Sequence, residues 1–308
     1  MINKIKKVVN SKWFRLVFSV ILIYFAFRRI NIVKLLAEVS LVRPIYVVGI
    51  LAYISVVMLI GGVRWSLLLL KKPTIKDFWI FTKATYRGAF YALFFPTAMA
   101  GDLLKWLPLQ ENYPELSKTK IASSVIIDRI VGVTAFGVMA LVALLIGKLL
   151  KYQFPDYLLW FFIILNAGII IFYMAVMMVD FEKILGRYDK LKKVLEVLDI
   201  FKNENKKRIL ICIAISLIGE PFWQMPFWFY SLIFKTGISF LQVLIFMPVI
   251  SLILVLPISV AGFGARENLF LYFFGALGIS DEKILIMSAF AGIMGILYSL
   301  IGGLFLLF

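Results

Sequence analysis

Long apolar runs, rather than short periodic ones, dominate this chain. They fall at about 13–27, 44–63, 78–98, 121–147, 157–179, 209–233, 241–260, 266–279 and 284–308, and polar connectors separate most of them. A helix crosses a bilayer in about 20 residues at about 1.5 Å of rise each, and several of the runs reach that length. The pattern predicts an all-α, polytopic transmembrane helix bundle, with a single integral membrane domain over 1–308. Lys4, Lys6, Lys7 and Lys12 precede the run from Trp13 to Phe27, as in a signal peptide. That run ends in Arg28-Arg29 rather than at small residues, so it reads as a retained first helix. The longest polar stretch, 180–208, holds nine Lys/Arg and six Asp/Glu. Ile184, Leu185, Leu191, Val194, Leu195 and Leu198 recur in it at helical spacing, which fits an amphipathic helix on the membrane surface or a solvated helical hairpin.

Charge then changes the topology. Lys and Arg in short loops favour the cytoplasmic side. If 78–98 crossed the membrane fully, the larger share of basic residues would fall outside. If 78–104 enters and leaves on one side, loops 1–12, 64–77, 99–120 and 180–208 become cytoplasmic with 20 Lys/Arg, against 7 in loops 28–43, 148–156 and 234–240. The parity predicts a re-entrant segment turning near Pro96–Asp102. A second break follows Pro257, where Gly262 and Gly264 precede an apolar piece of about 12 residues, too short to cross. It reads as the return arm of a second re-entrant pair, entering from the opposite side. Non-helical backbone is tolerated at membrane depth only where it is buried in protein or lines a wet cavity, and two broken segments meeting at depth are a transporter-like arrangement. The N-terminus and C-terminus both fall on the cytoplasmic side of a multi-pass protein of the cell membrane.

Composition narrows the chemistry. The chain is 63% apolar and 16% charged, where soluble domains carry about 45–50% and about 25%. Its formal charge is +16, with no histidine. The lysines flank apolar segments, which points to anionic lipid headgroups as partners and away from nucleic acid. The lone Cys212 cannot form an internal disulfide, and no Cys/His spacing suggests a metal site or cofactor. The many Phe residues read as lipid-facing bulk rather than stacking platforms.

Eight ionisable residues fall within the proposed segments: Lys83, Arg87, Asp102, Asp128, Arg129, Glu220, Arg266 and Glu267. At a helix centre each Arg, Lys or Asp costs about 2.5–3.5 kcal/mol on insertion scales. They must pair, meet water or bind something charged. Lys83 and Arg87 share a helix face, where an anion would stabilise both, although Lys83 can also snorkel to the surface. Asp102, after Pro96 and Gly101, can cap the next helix, or those helix amides can face an anionic headgroup with Lys105 adding charge. Asp128 and Arg129 lie about 100° apart on a helix, so each seeks a partner elsewhere, with Arg266 or Arg87 expected for Asp128. Gly262-Phe-Gly264 lacks the strand and further residues of a nucleotide loop. Beside Arg266 and Glu267 it marks a structural break or a headgroup site. Glu220-Pro221 places a carboxylate on a proline-distorted helix.

These residues resemble the lysylphosphatidylglycerol synthase transmembrane-region family, which includes the flippase half of the multiple peptide resistance factor and archaeal relatives. The matching pieces are Gly62-Val-Arg64-Trp65, Gly101-Asp102-Leu-Leu-Lys105, Ile127-Asp128-Arg129-Ile-Val-Gly132, Leu256-Pro257-Ile-Ser259-Val-Ala-Gly262-Phe-Gly264-Ala-Arg266-Glu267, and Tyr298-Ser-Leu-Ile-Gly302-Gly303. Where this chain has Lys105 the family pattern usually has arginine, so a planar grip on phosphate becomes a point charge. The resemblance implies a lipid flippase-like transporter moving a phospholipid or lipid-linked headgroup. Its headgroup path would run past Arg87, Asp102, Lys105, Asp128, Arg129, Arg266 and Glu267. The alternative is an integral membrane lipid-modifying enzyme or enzyme subunit, of phosphatidylglycerol lysyltransferase type or acting in lipid-phosphate glycosyl transfer. No soluble segment here is long enough for an aminoacyl-transfer domain, which weighs against that chemistry.

Overall fold

The computed structural model describes residues 37, 39–93, 101, 104–178, 206–255 and 264–305. The helices over these residues are α1 (Pro44–Leu69), α2 (Ile75–Ala92), α3 (Leu107–Asn112), α4 (Lys118–Leu149), α5 (Asp156–Met178), α6 (Lys206–Ile233), α7 (Phe240–Val255), α8 (Ala265–Gly275) and α9 (Asp281–Leu304). No strand occurs among the described residues. Among the described residues five helices are long and apolar enough to cross a membrane: α1, α4, α5, α6 and α9. The chain is an all-α, multi-pass membrane protein. Segment 13–27 and the charged stretch 180–205 lie outside the described residues.

Helix starts follow local chemistry that the apolar pattern does not carry. Thr74 and Asp77 cap α2 reciprocally: the Thr74 amide donates to Asp77 Oδ2 at 2.6 Å, and the Asp77 amide to Thr74 Oγ1 at 3.4 Å. Ser239 and Gln242 do the same for α7, at 2.8 and 3.3 Å. Ser117 accepts from the Lys120 amide at the start of α4. Each such cap satisfies amides that the first helical turn leaves without a partner.

Cα packing divides the chain into two compact units, one comprising 57–85 and 105–222, the other 1–56, 86–104 and 223–308. In the first, α4 packs on α5 and α3 on α4. Its core gathers Trp65, Leu69, Phe81, Leu109, Tyr113, Ile121 and Val125. The Trp65 and Phe81 rings meet edge to face at 4.9 Å. Gly62 lets α1 approach α2, since a Cβ there would lie 2.2 Å from Thr82 Oγ1 and 2.8 Å from its amide nitrogen. The Tyr113 hydroxyl, at the end of α3, donates to Asp77 Oδ1 at the start of α2. Burial, and after it the hydrogen bond to the Asp77 carboxylate, hold the Tyr113 phenol well above its ordinary pKa, so it remains the donor.

That contact bears on the first re-entrant expectation. Asp77 and Tyr113 flank the 78–104 segment, so the chain enters along α2 and returns to the same end of this unit. Within the other unit Gly101 packs back against α2, where a Cβ would fall 2.3 Å from the Gly88 carbonyl oxygen and 2.6 Å from Ala92 Cβ. Gly101 therefore lies back alongside the second half of α2. The turn with Pro96 and Asp102 lies outside the described residues.

In the second unit α7 packs on α8 and α8 on α9. Helix α8 has 11 residues, about 16 Å, and does not span. The start of α7 and the end of α8 lie together: Thr236, Gly237, Gln242, Leu277 and Gly278 line one shallow cavity, and Lys283 donates to the Lys235 carbonyl at 2.8 Å. So α7 and α8 form a second hairpin, whose turn, with Pro257 and Gly262, lies outside the described residues. The first hairpin opens beside the start of α6, where Arg208 donates to the Lys71 carbonyl at 2.9 Å. One expectation needs correcting. Phe161 and Phe222 are exposed, but Phe81, Phe162, Phe270 and Phe274 are fully buried. Phe270, Phe274 and Phe246 stack edge to face along α7 and α8. The phenylalanines are core as well as lipid-facing surface.

Candidate functional site

Helix α1 does not stop at the first charge. It runs to Leu69 and carries Arg64 inside it, ahead of the apolar run Trp65–Leu70. From there Arg64 reaches Asp128 on α4. Its Nε donates to Asp128 Oδ1 at 2.8 Å and its Nη2 lies 2.7 Å from the same oxygen. Lys105, just before α3, donates from Nζ to Asp128 Oδ2 at 3.0 Å. A further donation runs from Arg64 Nη1 to Ser216 Oγ on α6, at 3.0 Å. The Lys105 ammonium also sits 4.4 Å from the Trp65 ring centroid, with its positive charge over the negative face of the indole. The indole is fixed by its own donation to Ser124 Oγ at 2.9 Å.

Two cations thus share one carboxylate, one on each oxygen. The side chains of Lys105 and Asp128 are 5% and 6% exposed, while that of Arg64 is 20% exposed. A buried charge costs several kcal/mol of desolvation, and pairing offsets it only where the charges balance. Here the carboxylate is matched twice over, by one cation on each oxygen. Sequence reasoning pointed to Arg266 or Arg87 as partners of Asp128; the partners are Arg64 and Lys105. Arg64 is not among the eight ionisable residues within the apolar runs because the 44–63 run ends one residue before it. The apolar run that resumes at Trp65 and the matching piece Gly62-Val-Arg64-Trp65 both signal it. Arg129, next to Asp128 on α4, is exposed.

A second group of charges lies in the other unit. Gly264, at φ +77°, breaks the chain ahead of α8 in a conformation that favours glycine. Its amide donates to Glu267 Oε2 at 2.7 Å. Glu267 Oε1 accepts from Arg266 Nη2 at 2.7 Å and from Ser288 Oγ at 3.1 Å. Arg266 Nε reaches Ser288 Oγ at 3.1 Å. The guanidinium lies over Gly292 of α9, where a Cβ would fall 2.5 Å from Nη2. Glu267 is buried and holds its own helix start, while Arg266 stays partly exposed. In the same unit Arg87 donates from Nε and Nη2 to the Phe305 carbonyl, the former at 2.9 Å. A cation there meets the negative end of the α9 dipole.

Lys83 lies 5.7 Å from the Trp79 ring, and Glu220 is half-buried on α6, which continues through Pro221 and Pro226. Among the described residues no group of three or more Cys, Asp or Glu side chains is placed to hold a metal ion. Of the residues expected on a headgroup path, the structure brings Lys105 to Asp128 and Arg266 to Glu267. Asp102 lies outside the described residues.

Comparison with curated proteins and with solved structures finds no match in either. A family model does match, over residues 12–302, from ahead of the described residues to Gly302 in α9. It takes in both charge groups and both hairpins, and on that match the chain belongs to the family of the lysylphosphatidylglycerol synthase TM region.

Proposed function

We propose that this lipid-related membrane protein moves a phosphate-bearing lipid headgroup across the bilayer. The observation that carries the reading is the Arg64–Lys105–Asp128 cluster, in which two cations converge on one carboxylate and Arg64 stays partly exposed. A partly exposed cation of this kind suits an anion, and a phosphodiester supplies one negative charge with oxygens that accept charge-assisted hydrogen bonds. Arg64, the more exposed of the two cations, meets the phosphate and offers a planar donor fork. Lys105 adds a fixed point charge behind it. Arg129, Arg87, Asp102, Arg266 and Glu267 complete the proposed path, with the carboxylates balancing charge or holding an amine. A polar route of this kind lowers the desolvation cost of carrying a headgroup through hydrocarbon.

The test is reconstitution in liposomes with labelled anionic, zwitterionic and lysyl-modified phospholipids. The proposal expects translocation of the phosphate-bearing lipids, and its loss in an Arg266→Ala variant that stays folded, with partial retention in Arg266→Lys. If the unmutated protein moves no lipid and instead turns over a lipid phosphate, the enzyme reading replaces this one.

Orientation belongs to the same proposal. The end of the first unit with Lys71, Lys72, Lys76, Lys118, Lys120, Lys207 and Arg208 faces the cytoplasm of the cell, and the 148–156 loop faces outside. Cysteines introduced at the exposed Asn112 and Gln153 read this out, since the native Cys212 is buried. In intact cells an impermeant thiol reagent is expected to label Gln153→Cys and to spare Asn112→Cys. The reverse pattern would overturn the orientation.

A further inference from the structure

The outward face of α2 carries a pattern that neither charge group uses. Ile75, Lys76, Trp79 and Lys83 recur at spacings of three and four, so they form one stripe spanning about 100° of the helix. Ile75 is 84% and Trp79 48% exposed. Lys71 and Lys72, both exposed, lie in the turn just before. The acid of this helix start does not dilute the stripe. Asp77 lies on the opposite side of α2, its carboxylate engaged by the Thr74 amide, the Thr74 hydroxyl at 2.7 Å and the Tyr113 hydroxyl. Among the described residues Glu111 and Glu115, exposed near α3, are outnumbered at this end by Lys118, Lys120, Lys207 and the Lys71 neighbour Arg208.

An exposed indole and an isoleucine set among lysines, where a helix enters the bilayer, combine two kinds of affinity. The apolar side chains suit the boundary of headgroups and acyl chains, and the ammonium groups suit phosphate at the same depth. A water-soluble partner would explain the lysines but not Ile75 and Trp79 beside them. The geometry points to a docking surface for acidic phospholipids on α2. Trp79 lies at the headgroup boundary, and Lys71, Lys72, Lys76 and Lys83 contact the phosphates of one leaflet. The surface is separate from the buried cluster and requires no translocation.

Trp79 provides the readout. Its fluorescence is the difference between the unmutated protein and a Trp79→Phe variant, each in vesicles containing brominated phosphatidylglycerol or brominated phosphatidylcholine. Bromine quenches only indoles it touches. At low salt the Trp79 component is expected to be quenched by phosphatidylglycerol with about fivefold preference over phosphatidylcholine, which is what one engaged lysine near an anionic surface supplies. The preference is expected to vanish in 1 M salt and in a Lys71→Gln/Lys72→Gln/Lys76→Gln variant. Equal quenching by the two lipids at low salt, or a preference that high salt leaves intact, overturns the docking surface. The salt series on the unmutated protein decides the matter even if the triple variant fails to fold.

Discussion

Asp128→Asn is expected to lower the unfolding temperature in detergent far more than Lys105→Met does. The reason is that one carboxylate serves two cations. Asp128 is the common anion of Arg64 and Lys105, at 2.7–3.0 Å from each. Its loss leaves the buried Lys105 and the half-buried Arg64 beside each other without their common carboxylate, and breaking a buried pair by removing one partner costs about 3–5 kcal/mol. Methionine at 105 keeps the length of the side chain over Trp65 and leaves Arg64 and Asp128 as a neutral pair, so the expected cost is about 1 kcal/mol. Asp128→Asn/Lys105→Met is expected to be more stable than Asp128→Asn alone, because the second change removes one of the stranded charges. Thermal unfolding of the four proteins measures this directly. Additive losses in the double variant would show that the two residues do not balance each other.

Gly302→Ala is the second large effect. A Cβ there would lie 2.0 Å from the Tyr86 carbonyl oxygen and 2.6 Å from its carbon, where real contacts stay beyond 3.0 Å. The obstacle is backbone, which cannot rotate away, so α9 and α2 must part by about 1 Å in an interior packed at crystal density. Two nearby bonds would stretch with them, Tyr86 to Ser55 at 2.7 Å and Arg87 to Phe305 at 2.9 Å. The expected destabilisation is about 3 kcal/mol. Gly295→Ala, on the same helix with nothing within 4 Å, is the control. It is expected to be neutral or to stabilise by up to about 1 kcal/mol, from helix propensity alone.

These two effects mark what the sequence could and could not tell. Helix positions were legible because apolar length is a local property: the expected 121–147 is observed as Lys118–Leu149, and 157–179 as Asp156–Met178. The first hairpin was legible from a global count of charge, and the Asp77–Tyr113 and Gly101–Gly88 contacts give it a physical form. Partner choice was not legible. Arg64 and Asp128 are 64 residues apart, and no local spacing announces their meeting. Gly302 and Gly295 read alike in sequence, although one touches backbone and the other open space. Glu267 illustrates a signal present but overlooked. Its three-residue spacing from Gly264 is that of a helix-start cap, and its buried carboxylate serves that helix start first.

The central claim is that Arg64 and Lys105, which share the Asp128 carboxylate, receive a lipid phosphate. Its most direct test is translocation of labelled phosphatidylglycerol in liposomes by Arg64→Gln and Lys105→Met, each shown to be folded by its thermal transition. Loss of one charge-assisted hydrogen bond corresponds to about 1.5–3 kcal/mol, or roughly ten- to a hundredfold in rate. The account predicts at least a tenfold loss (about 1.4 kcal/mol) in each variant, with the larger loss for Arg64→Gln. Translocation at the unmutated rate by a folded Arg64→Gln/Lys105→Met protein would contradict it.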